Sequence, residues 1–156
     1  MFKPFFGRKY DPDSISESND WLFWRWYDIT SQETQGSRDS RIIAGAPVYL
    51  RRLYLVRTPW FSIMVHRIKR PDPDRHLHDH PWDFLAILLR GWYEEKRPEG
   101  TKLRWLFNFC RAEGSHKITA VSDNCTTLVI TGPKRRAWGF HTENGWMGWR
   151  EYIYGR

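Results

Sequence analysis

From Ala46 onward the chain alternates between short apolar runs and turn signals, and this alternation constrains the fold more than any other feature of the sequence. The apolar runs are Val48–Val56, Phe61–Ile68, Phe84–Leu89, Trp92–Glu95, Leu103–Cys110, Ile118–Val121, Thr126–Thr131, Trp138–His141 and Trp146–Tyr154. Turn sequences such as Pro71-Asp-Pro73 and Glu143-Asn-Gly145 separate them. Runs of this length and spacing are typical of an all-β sandwich or barrel, and no apolar stripe of helical period extends over ten residues here.

The chain of 156 residues has room for one domain, and its composition supports a β fold. Aromatic residues make up 17% of it, including 10 tryptophans, and aromatic side chains suit the half-buried faces of sheets. We therefore predict an all-β barrel over residues 46–156 and an aromatic-rich N-terminal extension over residues 1–45.

Within that extension, the aromatic block Trp21–Tyr27 is flanked by polar sequence on both sides. Six of its seven residues are apolar or aromatic, so we expect the block to pack against the barrel. Asp20 could cap a short helix that begins at Trp21, and a strand is equally compatible with the sequence. The alternative function for the block is an exposed aromatic patch that binds a partner.

The charge balance and the cysteines restrict partners and compartment. Lysine and arginine outnumber aspartate and glutamate by 25 to 18, and the net charge of +7 favours anionic partners. Cys110 and Cys125 are too few for a disulfide scaffold, and we interpret them as buried thiols, although one bridge between them is allowed. The sequence has neither a secretion signal nor an apolar stretch of the ~18 residues that span a membrane. These features predict a cytoplasmic protein that does not cross a membrane.

Four of the six histidines fall between His66 and His80, and three of them alternate along the chain. In an extended strand, His76, His78 and His80 would point to one face, where imidazoles can bind a divalent metal. The alternative is a solvated histidine-rich loop. His66 shares a face with apolar residues of its own run, so we interpret it as a core residue or as a neighbour that supports the ligands.

The stretch His78-Asp-His80-Pro-Trp-Asp83, followed by an apolar run that ends at Gly91, resembles the first motif of the cupin superfamily. Cupins are small β-barrels of the double-stranded β-helix, or jelly-roll, type. The resemblance implies that His78 and His80 are metal ligands and that Asp83 supplies an acidic ligand, with Glu94 as a secondary candidate. A site of three histidines without a carboxylate is also compatible with the motif.

Two features of the motif leave alternatives open. Pairing His76 with His78 gives a second register that matches the family spacing before the acidic residue. The second cupin motif supplies a further histidine from a later hairpin, and Arg111-Ala-Glu-Gly-Ser-His116 resembles it. His116 is therefore the expected third ligand, and His141 is its competitor.

The stretch from about Val65 to Trp149 is also similar to small cupin-like proteins of bacteria and phages. Because cupins include dioxygenases, isomerases and non-catalytic ligand sensors, the resemblance implies a metal site but does not indicate which substrate binds there. It implies one divalent transition metal (Fe, Zn, Mn or Ni), held in an enzyme or in a binding or sensor protein. The net charge of +7, together with Arg104 and Arg111, favours a small anionic molecule as the ligand. Cupins often dimerise through edge strands, and the block Trp21–Tyr27 could serve in such a homodimer.

Around a metal held in this way, aromatic and basic residues would form the substrate site. We expect Trp82, Trp92 and Trp105 to form an aromatic wall, and Arg104 or Arg111 to bind an anionic group. The alternative interpretation places the tryptophans in the barrel core and the arginines on the surface. Basic and aromatic residues also suit nucleic-acid binding, but they are scattered along the chain, and this is the weakest of the three functions.

Overall fold

The computed structural model describes residues 21–30 and 48–155. Within these residues all strand pairings are antiparallel, which confirms the prediction of an all-β fold. The elements are β1 (Leu22–Thr30), β2 (Val48–Arg57), β3 (Ser62–Ile68), β4 (Leu77–His78), β5 (Phe84–Arg90), β6 (Tyr93–Arg97), β7 (Gly100–Arg104), β8 (Phe107–Cys110), β9 (Lys117–Val121), β10 (Cys125–Thr131), β11 (Gly139–Thr142), β12 (Gly145–Gly148) and the helix α1 (Trp149–Tyr154).

Six of the strands form one large sheet in the order β1-β2-β3-β10-β5-β8. Two small sheets of three strands each have the orders β12-β11-β4 and β7-β6-β9. An antiparallel bridge between His78, at the end of β4, and His116, just before β9, joins the two small sheets edge to edge. The small sheets therefore meet at two of the histidines that the sequence singled out.

The core lies on one face of the large sheet, which we call its inner face. Alternate residues of its strands point inward and form one buried cluster: Tyr54, Met64, Phe84, Ala86, Cys110 and Val129. A second buried cluster joins Ile68 and Cys125 of the large sheet to Tyr93 of β6. Because β6 belongs to a small sheet, this second cluster is where a small sheet packs against the large one.

The aromatic block forms most of β1, which pairs with β2 at the edge of the large sheet. Leu22 and Tyr27 pack against the buried cluster of the inner face, whereas Phe23 and Trp26 are exposed. The block is thus a strand rather than a helix, and it is part of the same sheet as the predicted barrel strands. The rest of the predicted extension, residues 1–20 and 31–45, lies outside the described residues.

Two predicted strands differ from the structure. The run Leu103–Cys110 is divided into β7 and β8, because the chain bends at Trp105 and Leu106. The run Trp146–Tyr154 contains β12 and then turns into α1, which presents Trp149 and Tyr152 to aromatic rings of the β4–β12 region. Residues three apart share a helix face, so a helix can pack both rings where a strand would separate them.

Two further sequence predictions concern the cysteines and the membrane. Cys110 and Cys125 are free and buried, and burial raises the pKa of each thiol to about 11. Their interpretation as buried thiols is confirmed. None of the helices in residues 21–30 and 48–155 has the length and apolar character needed to cross a membrane.

Candidate metal centre

The bridge between the two small sheets places two histidine side chains next to each other. The N–H of His78 donates to the carbonyl of His116 (3.0 Å), and the N–H of His116 donates to the carbonyl of His78 (2.9 Å). Residues that exchange both hydrogen bonds lie directly opposite one another, so their side chains point to the same face. His80, two residues after His78, donates its N–H to the carbonyl of Ala112 (3.2 Å) and points the same way.

As a result, three imidazoles converge on one point. Their candidate ligand nitrogens all lie within 4.8 Å of one another. Nε2 of His80 and Nε2 of His116 are 2.8 Å apart, and the ring of His78 is 5.0 Å from that of His116 and 5.2 Å from that of His80. The spacing brings three nitrogen donors around a common centre, which is the arrangement that a transition metal requires.

A buried carboxylate fixes the orientation of one of these rings. Nδ1 of His116 lies 2.6 Å from Oε1 of Glu95, whose side chain is completely buried. Burial by itself would raise the pKa of Glu95, but hydrogen bonds from His116, Arg97 and Asn108 outweigh burial and hold the pKa well below its usual range. An ionised carboxylate only accepts hydrogen bonds, so Nδ1 of His116 donates, and Nε2 is the ring nitrogen that faces away from Glu95 and can bind a metal.

The strand β6 delivers this carboxylate to the inside of the fold. Tyr93 and Glu95 alternate with exposed or half-buried residues, so both point inward from β6. Arg97 and Arg104 donate to Oε2 of Glu95 at 3.0 and 2.8 Å, and the amide of Asn108 donates to Oε1 at 2.8 Å. With donors on both oxygens, Glu95 is a fixed acceptor that orients His116.

Burial also sets the charge of the other two rings. It lowers the pKa of His78 to about 4, with a smaller contribution from the neighbouring His116. Burial, followed by the proximity of His116 and His78, lowers the pKa of His80 well below its ordinary value. Both imidazoles are therefore neutral at pH 7, which is the protonation state that binds a metal.

The hydrogen bonding of the triad leaves room for a cation. Among the described residues, Nδ1 of His78 is the one buried side-chain polar atom that lacks a hydrogen-bond partner. Nε2 of His80 and Nε2 of His116 face each other at a distance that fits either one hydrogen bond or two nitrogens sharing a metal. The orphaned nitrogen, the neutral rings of His78 and His80, and the carboxylate behind His116 fit the donor set of a divalent transition metal.

The three histidines lie on the wall of a cavity with a volume of about 220 Å³. Most of the lining is apolar or aromatic, and it includes Tyr54, Phe84 and Phe140. Arg52 is the one lysine or arginine among the described residues that line it, and Asp72 and Asp74 also reach the cavity. A mainly apolar cavity with a few polar groups at one side is typical of a small-molecule site.

The two acidic residues that the sequence proposed as ligands do not reach the triad. Asp83 lies at the surface, where it accepts hydrogen bonds from Arg135 (2.7 Å) and from the N–H of Ala112 (2.7 Å). Glu94 accepts from the hydroxyl of Thr119 (2.6 Å) and points to the opposite face of β6 from Glu95. The carboxylate beside the triad is thus the next residue in the strand, because side chains alternate between the two faces.

The remaining histidines have other partners. His76 contacts the hydroxyl of Tyr152 and the carboxylate of Glu143, both at 3.0 Å, because the chain bends between His76 and β4. Nε2 of His141 lies 3.2 Å from Oδ2 of Asp79 on the far side of β4. The structure therefore brings His116, and not His76 or His141, to His78 and His80.

His66 lines the same cavity without joining the triad. Its Nε2 accepts a hydrogen bond from Nε of Arg52 (2.9 Å), which leaves the other ring nitrogen protonated in the neutral ring. Burial, and then the charge of Arg52, lowers the pKa of His66 well below its ordinary value.

The residues expected to bind substrate are divided between the cavity and the surface. Trp82 lines the cavity, whereas Trp92 and Trp105 are exposed elsewhere. Arg104 binds Glu95 and does not line the cavity, and Arg111 is exposed outside it. The guanidinium of Arg104 is used within the fold, where it holds the carboxylate that orients His116.

Three residues around the site were missed by reasoning from the sequence. Glu95 could have been found by extending the alternation from Tyr93 through the strand. Arg52 could have been paired with His66 only after the register between β2 and β3 was known, since the two residues are direct partners there. Asp79 lies between two site histidines but points away from them, as alternation in a strand requires.

No protein-family model matches the chain, and no curated protein matches it either. Similar solved structures exist. The DMSP lyase DddQ from Ruegeria pomeroyi DSS-3 is 14% identical with a TM-score of 0.52, over 75% of this chain and 60% of that one. KdgF from Halomonas sp. is 13% identical, and an RmlC-like cupin from Shewanella frigidimarina NCIMB 400 is 12% identical. Both have a TM-score of 0.47 over 56% of this chain, and over 82% and 79% of their own chains.

The resemblance to the cupin superfamily is confirmed at the level of the fold. At these identities the likeness concerns the architecture alone, so the chemistry of this chain has to be argued from its own residues.

Proposed function

We propose that this protein is a metal-dependent enzyme of the cupin type, with a double-stranded β-helix that holds one divalent transition metal on His78, His80 and His116. The observation that carries the proposal is the convergence of three imidazoles, two of them held neutral by burial, on one wall of a cavity. Such a group is rarely retained for packing alone, because a buried polar nitrogen without a partner destabilises the folded state.

The three imidazole nitrogens restrict which metal this site would bind. Three imidazoles without a carboxylate suit Zn, Fe and Ni better than Mn, which prefers oxygen ligands. Three protein ligands leave coordination positions open toward the cavity, and a metal bound there would polarise an oxygen atom of a bound molecule. Glu95 keeps His116 in the tautomer that presents Nε2, and the apolar lining restricts access of water.

We propose a small anionic molecule as the substrate, bound with its charged group toward Arg52. The guanidinium of Arg52 is held by Nε2 of His66 and by the hydroxyl of Tyr54, so its position on the cavity wall is fixed. The carboxylate of Asp72 already accepts the N–H of Ile118 (2.7 Å), which lessens its repulsion of an anion. Isomerisation or dioxygenation are the reaction types that suit a site of this kind.

A binding or sensor protein without catalysis is the second candidate, and one observation favours it. Nε2 of His66 is occupied by Arg52, so the nearest additional imidazole in the cavity cannot accept a substrate proton at that atom. A ligand could therefore bind to the metal and Arg52 without an imidazole base beside it.

Elemental analysis of protein purified without a histidine tag tests the metal. We expect about one divalent transition metal per chain in the wild type and none in the double variant His78→Ala/His80→Ala. His76→Ala is the matched control, because this neighbouring histidine binds Tyr152 and Glu143 instead. Metal retained by the double variant, or absent from the wild type after supplementation with each of the four metals, would contradict the proposal.

A ligand panel separates the enzyme from the binding protein. Small carboxylates and phosphates should raise the melting temperature of the metal-loaded protein more than neutral sugars and amides do, and Arg52→Gln should abolish the difference. Oxygen uptake or proton exchange with the stabilising ligand would identify an enzyme, and stabilisation without turnover would identify a binding protein. Equal stabilisation by anionic and neutral compounds would contradict the assigned role of Arg52.

A further inference from the structure

Asp72 lines the cavity, and the proposed function gives it no contact with a ligand. It lies on the segment between β3 and β4, and this segment is attached to the start of β9. The N–H of Asp72 donates to the carbonyl of Ile118 (2.9 Å), and the N–H of Ile118 donates to Oδ2 of Asp72 (2.7 Å). Nζ of Lys117 donates to the carbonyls of Asp74 (2.9 Å) and Arg75 (3.3 Å). These contacts hold the carboxylate of Asp72 in one position.

One oxygen of this carboxylate has no donor. Among the described residues no hydrogen-bond donor reaches Oδ1 of Asp72, and no lysine or arginine forms an ion pair with it. Lys117 is near in the chain to Ile118, but its ammonium group binds main-chain oxygens instead. A half-buried carboxylate is more stable with a cation and a hydrogen-bond donor beside it. Asp72 is therefore available to a ligand that supplies both.

The carboxylate of Asp72 lies close to the histidine triad. Burial has the largest effect on the pKa of His78, which it lowers, and the charge of Asp72 follows with an opposite effect that exceeds those of His116 and Asp79. Because Asp79 is the next residue in the chain, a stronger effect of Asp72 indicates that its carboxylate is near the ring of His78. Asp72 is nevertheless not among the candidate ligands whose atoms lie within 4.8 Å of one another. It is thus placed to contact a molecule bound at the triad rather than the metal.

Arg52 and Asp72 are attached to different sheets. Arg52 lies on β2 of the large sheet, directly opposite its hydrogen-bond partner His66 on β3. Asp72 is bound to Ile118 on β9, which belongs to the small sheet β7-β6-β9. Both charged residues line the cavity, so a molecule inside it meets a guanidinium held by one sheet and a carboxylate held by another.

The cavity wall beside His78 is aromatic and suits a cationic group as well as an apolar one. Phe140 is the direct partner of His78 in the pairing of β4 with β11, and the two rings are 6.1 Å apart. Trp138, 5.8 Å from the ring of Phe140, also lines the cavity. Aromatic faces attract ammonium groups, and the neighbouring carboxylate adds to that attraction.

We propose that the ligand of this cavity is a short-chain amino acid, whose carboxylate binds Arg52 and whose ammonium group binds Oδ1 of Asp72. This inference rests on the proposed function, which places an anionic group at Arg52. An ammonium group supplies both the donor and the positive charge, whereas a hydroxyl group supplies only the donor. Packed sheets are about 10 Å apart and both side chains reach into the space between them, so a short carbon chain separates the two charged groups.

Calorimetric titration of the metal-loaded full chain tests the class of ligand. The probes are 3-aminopropionate, 3-hydroxypropionate and propionate, which share one carbon chain and differ in one group. We expect 3-aminopropionate to bind at least about tenfold more tightly than propionate, since hydrogen bonds between charged groups are the strong ones. The hydroxy acid should bind within a few-fold of propionate. The corresponding series with 4-aminobutyrate allows for a longer chain.

Asp72→Asn decides whether this carboxylate holds the amino group, because an amino group can also bind a metal. Asparagine keeps an acceptor for the N–H of Ile118, so the segment stays attached to β9. We expect the affinity for 3-aminopropionate to fall at least about tenfold, while that for propionate stays the same or rises as a repulsive charge is removed. Asp123→Asn is the matched control, because Asp123 is exposed in the turn between β9 and β10 and does not line the cavity. Circular dichroism verifies that both variants are folded.

The outcomes distinguish this inference from the proposed function. If the amino acids bind no more tightly than the plain or the hydroxy acids, the role of Asp72 is overturned and the anion site at Arg52 stands. An affinity for 3-aminopropionate that survives Asp72→Asn, or falls equally in Asp123→Asn, would also overturn it. If none of the acids binds, both the amino-acid ligand and the anion site are wrong, and the metal content of the same sample shows whether the metal site stands.

Discussion

Glu95 and Asp79 are both completely buried, and each binds one histidine and at least one arginine, yet the two carboxylates serve different parts of the protein. Glu95 accepts hydrogen bonds from the side chains of Arg104, Asn108 and His116, which belong to three other segments of the chain. It thereby orients the ring of His116 toward His78 and His80. Asp79 accepts hydrogen bonds from the N–H of Gly139 and from Nε1–H of Trp146, and it forms an ion pair with Arg136. These contacts hold the hairpin β11–β12 against β4.

The comparison teaches that closeness along the chain is a poor guide to the function of an acidic residue. Asp79 lies between two histidines of the triad, but strand alternation turns its side chain to the opposite face. Glu95 is distant in sequence, and the pairing of β6 with β9 brings it behind His116. One carboxylate therefore acts on the geometry of the site, and the other acts on the stability of a hairpin.

The largest expected effect on stability is the difference between substitutions of Asp79 and of an exposed acidic residue. Asp79→Ala leaves the largely buried guanidinium of Arg136 without its counter-ion, and it leaves the N–H groups of Gly139 and Trp146 without an acceptor. We therefore expect the free energy of unfolding to fall by about 3–5 kcal/mol. Glu113→Ala removes an exposed ion pair with Arg135 and should change the free energy of unfolding little. Urea denaturation of the two variants measures the difference, and equal losses would contradict the role assigned to Asp79.

The largest expected effect on metal binding is the difference between substitutions of His116 and of His141. His116→Ala removes one of the three proposed ligands and should weaken metal affinity by about 100-fold or more, since even loss of a supporting partner costs about 10–100-fold. His141→Ala removes a partner of Asp79 outside the triad and should leave the affinity within a few-fold of wild type. Isothermal titration with Zn²⁺ decides between them, and a greater loss for His141→Ala would invalidate the assignment of His116.

Glu95→Gln sharpens the contrast between the two carboxylates. The amide keeps the shape but weakens the hydrogen bond from His116, so we expect metal affinity to fall by about 10–100-fold. Asp79→Asn makes the equivalent change in the carboxylate whose side chain points away from the triad, and it should leave metal affinity nearly unchanged. Both affinities are measured on protein shown to be folded at the temperature of the titration. If the two variants bind metal equally well, Glu95 does not orient a ligand.

The pH dependence of stability separates the histidines from the carboxylates. Burial lowers the pKa of His78 from 6.5 to about 4, so its contribution is present above pH 6.5 and is lost as the pH falls. Between pH 7 and pH 5 the metal-free protein should lose at most about 2 kcal/mol through this ring, which is only partly buried. Glu95 has a lowered pKa, so its contribution is lost only below about pH 4.5.

Urea denaturation of wild type and His78→Gln at the two pH values measures this slope. The variant should show a flatter dependence between pH 7 and pH 5, and the further loss below pH 4.5 that Glu95 causes should persist in it. An equal slope for the two proteins in the upper window would mean that His78 does not titrate as assigned.

The strands of this protein are encoded locally. Alternating or continuous apolar runs predict β3, β5 and β10 to within a residue or two, because side-chain period and turn residues act within one segment. The same locality explains the failure at Trp146–Tyr154, where aromatic residues fit a strand pattern but pack better as α1. Propensity alone cannot rank two conformations whose difference lies in contacts with distant rings.

By itself the sequence determined the all-β fold and singled out His78 and His80, since both follow from short-range spacing and from a recognisable motif. It left His116 and His141 as alternatives for the third histidine, and only the tertiary structure placed His116 beside the first two. Only the tertiary structure decided that Glu95, rather than Asp83 or Glu94, stands beside them, and that Arg104 is used within the fold. These choices depend on the register between strands far apart in the chain. A shift of one residue in that register turns every side chain to the other face, so the acid that supports the site is fixed by pairing and not by the local sequence.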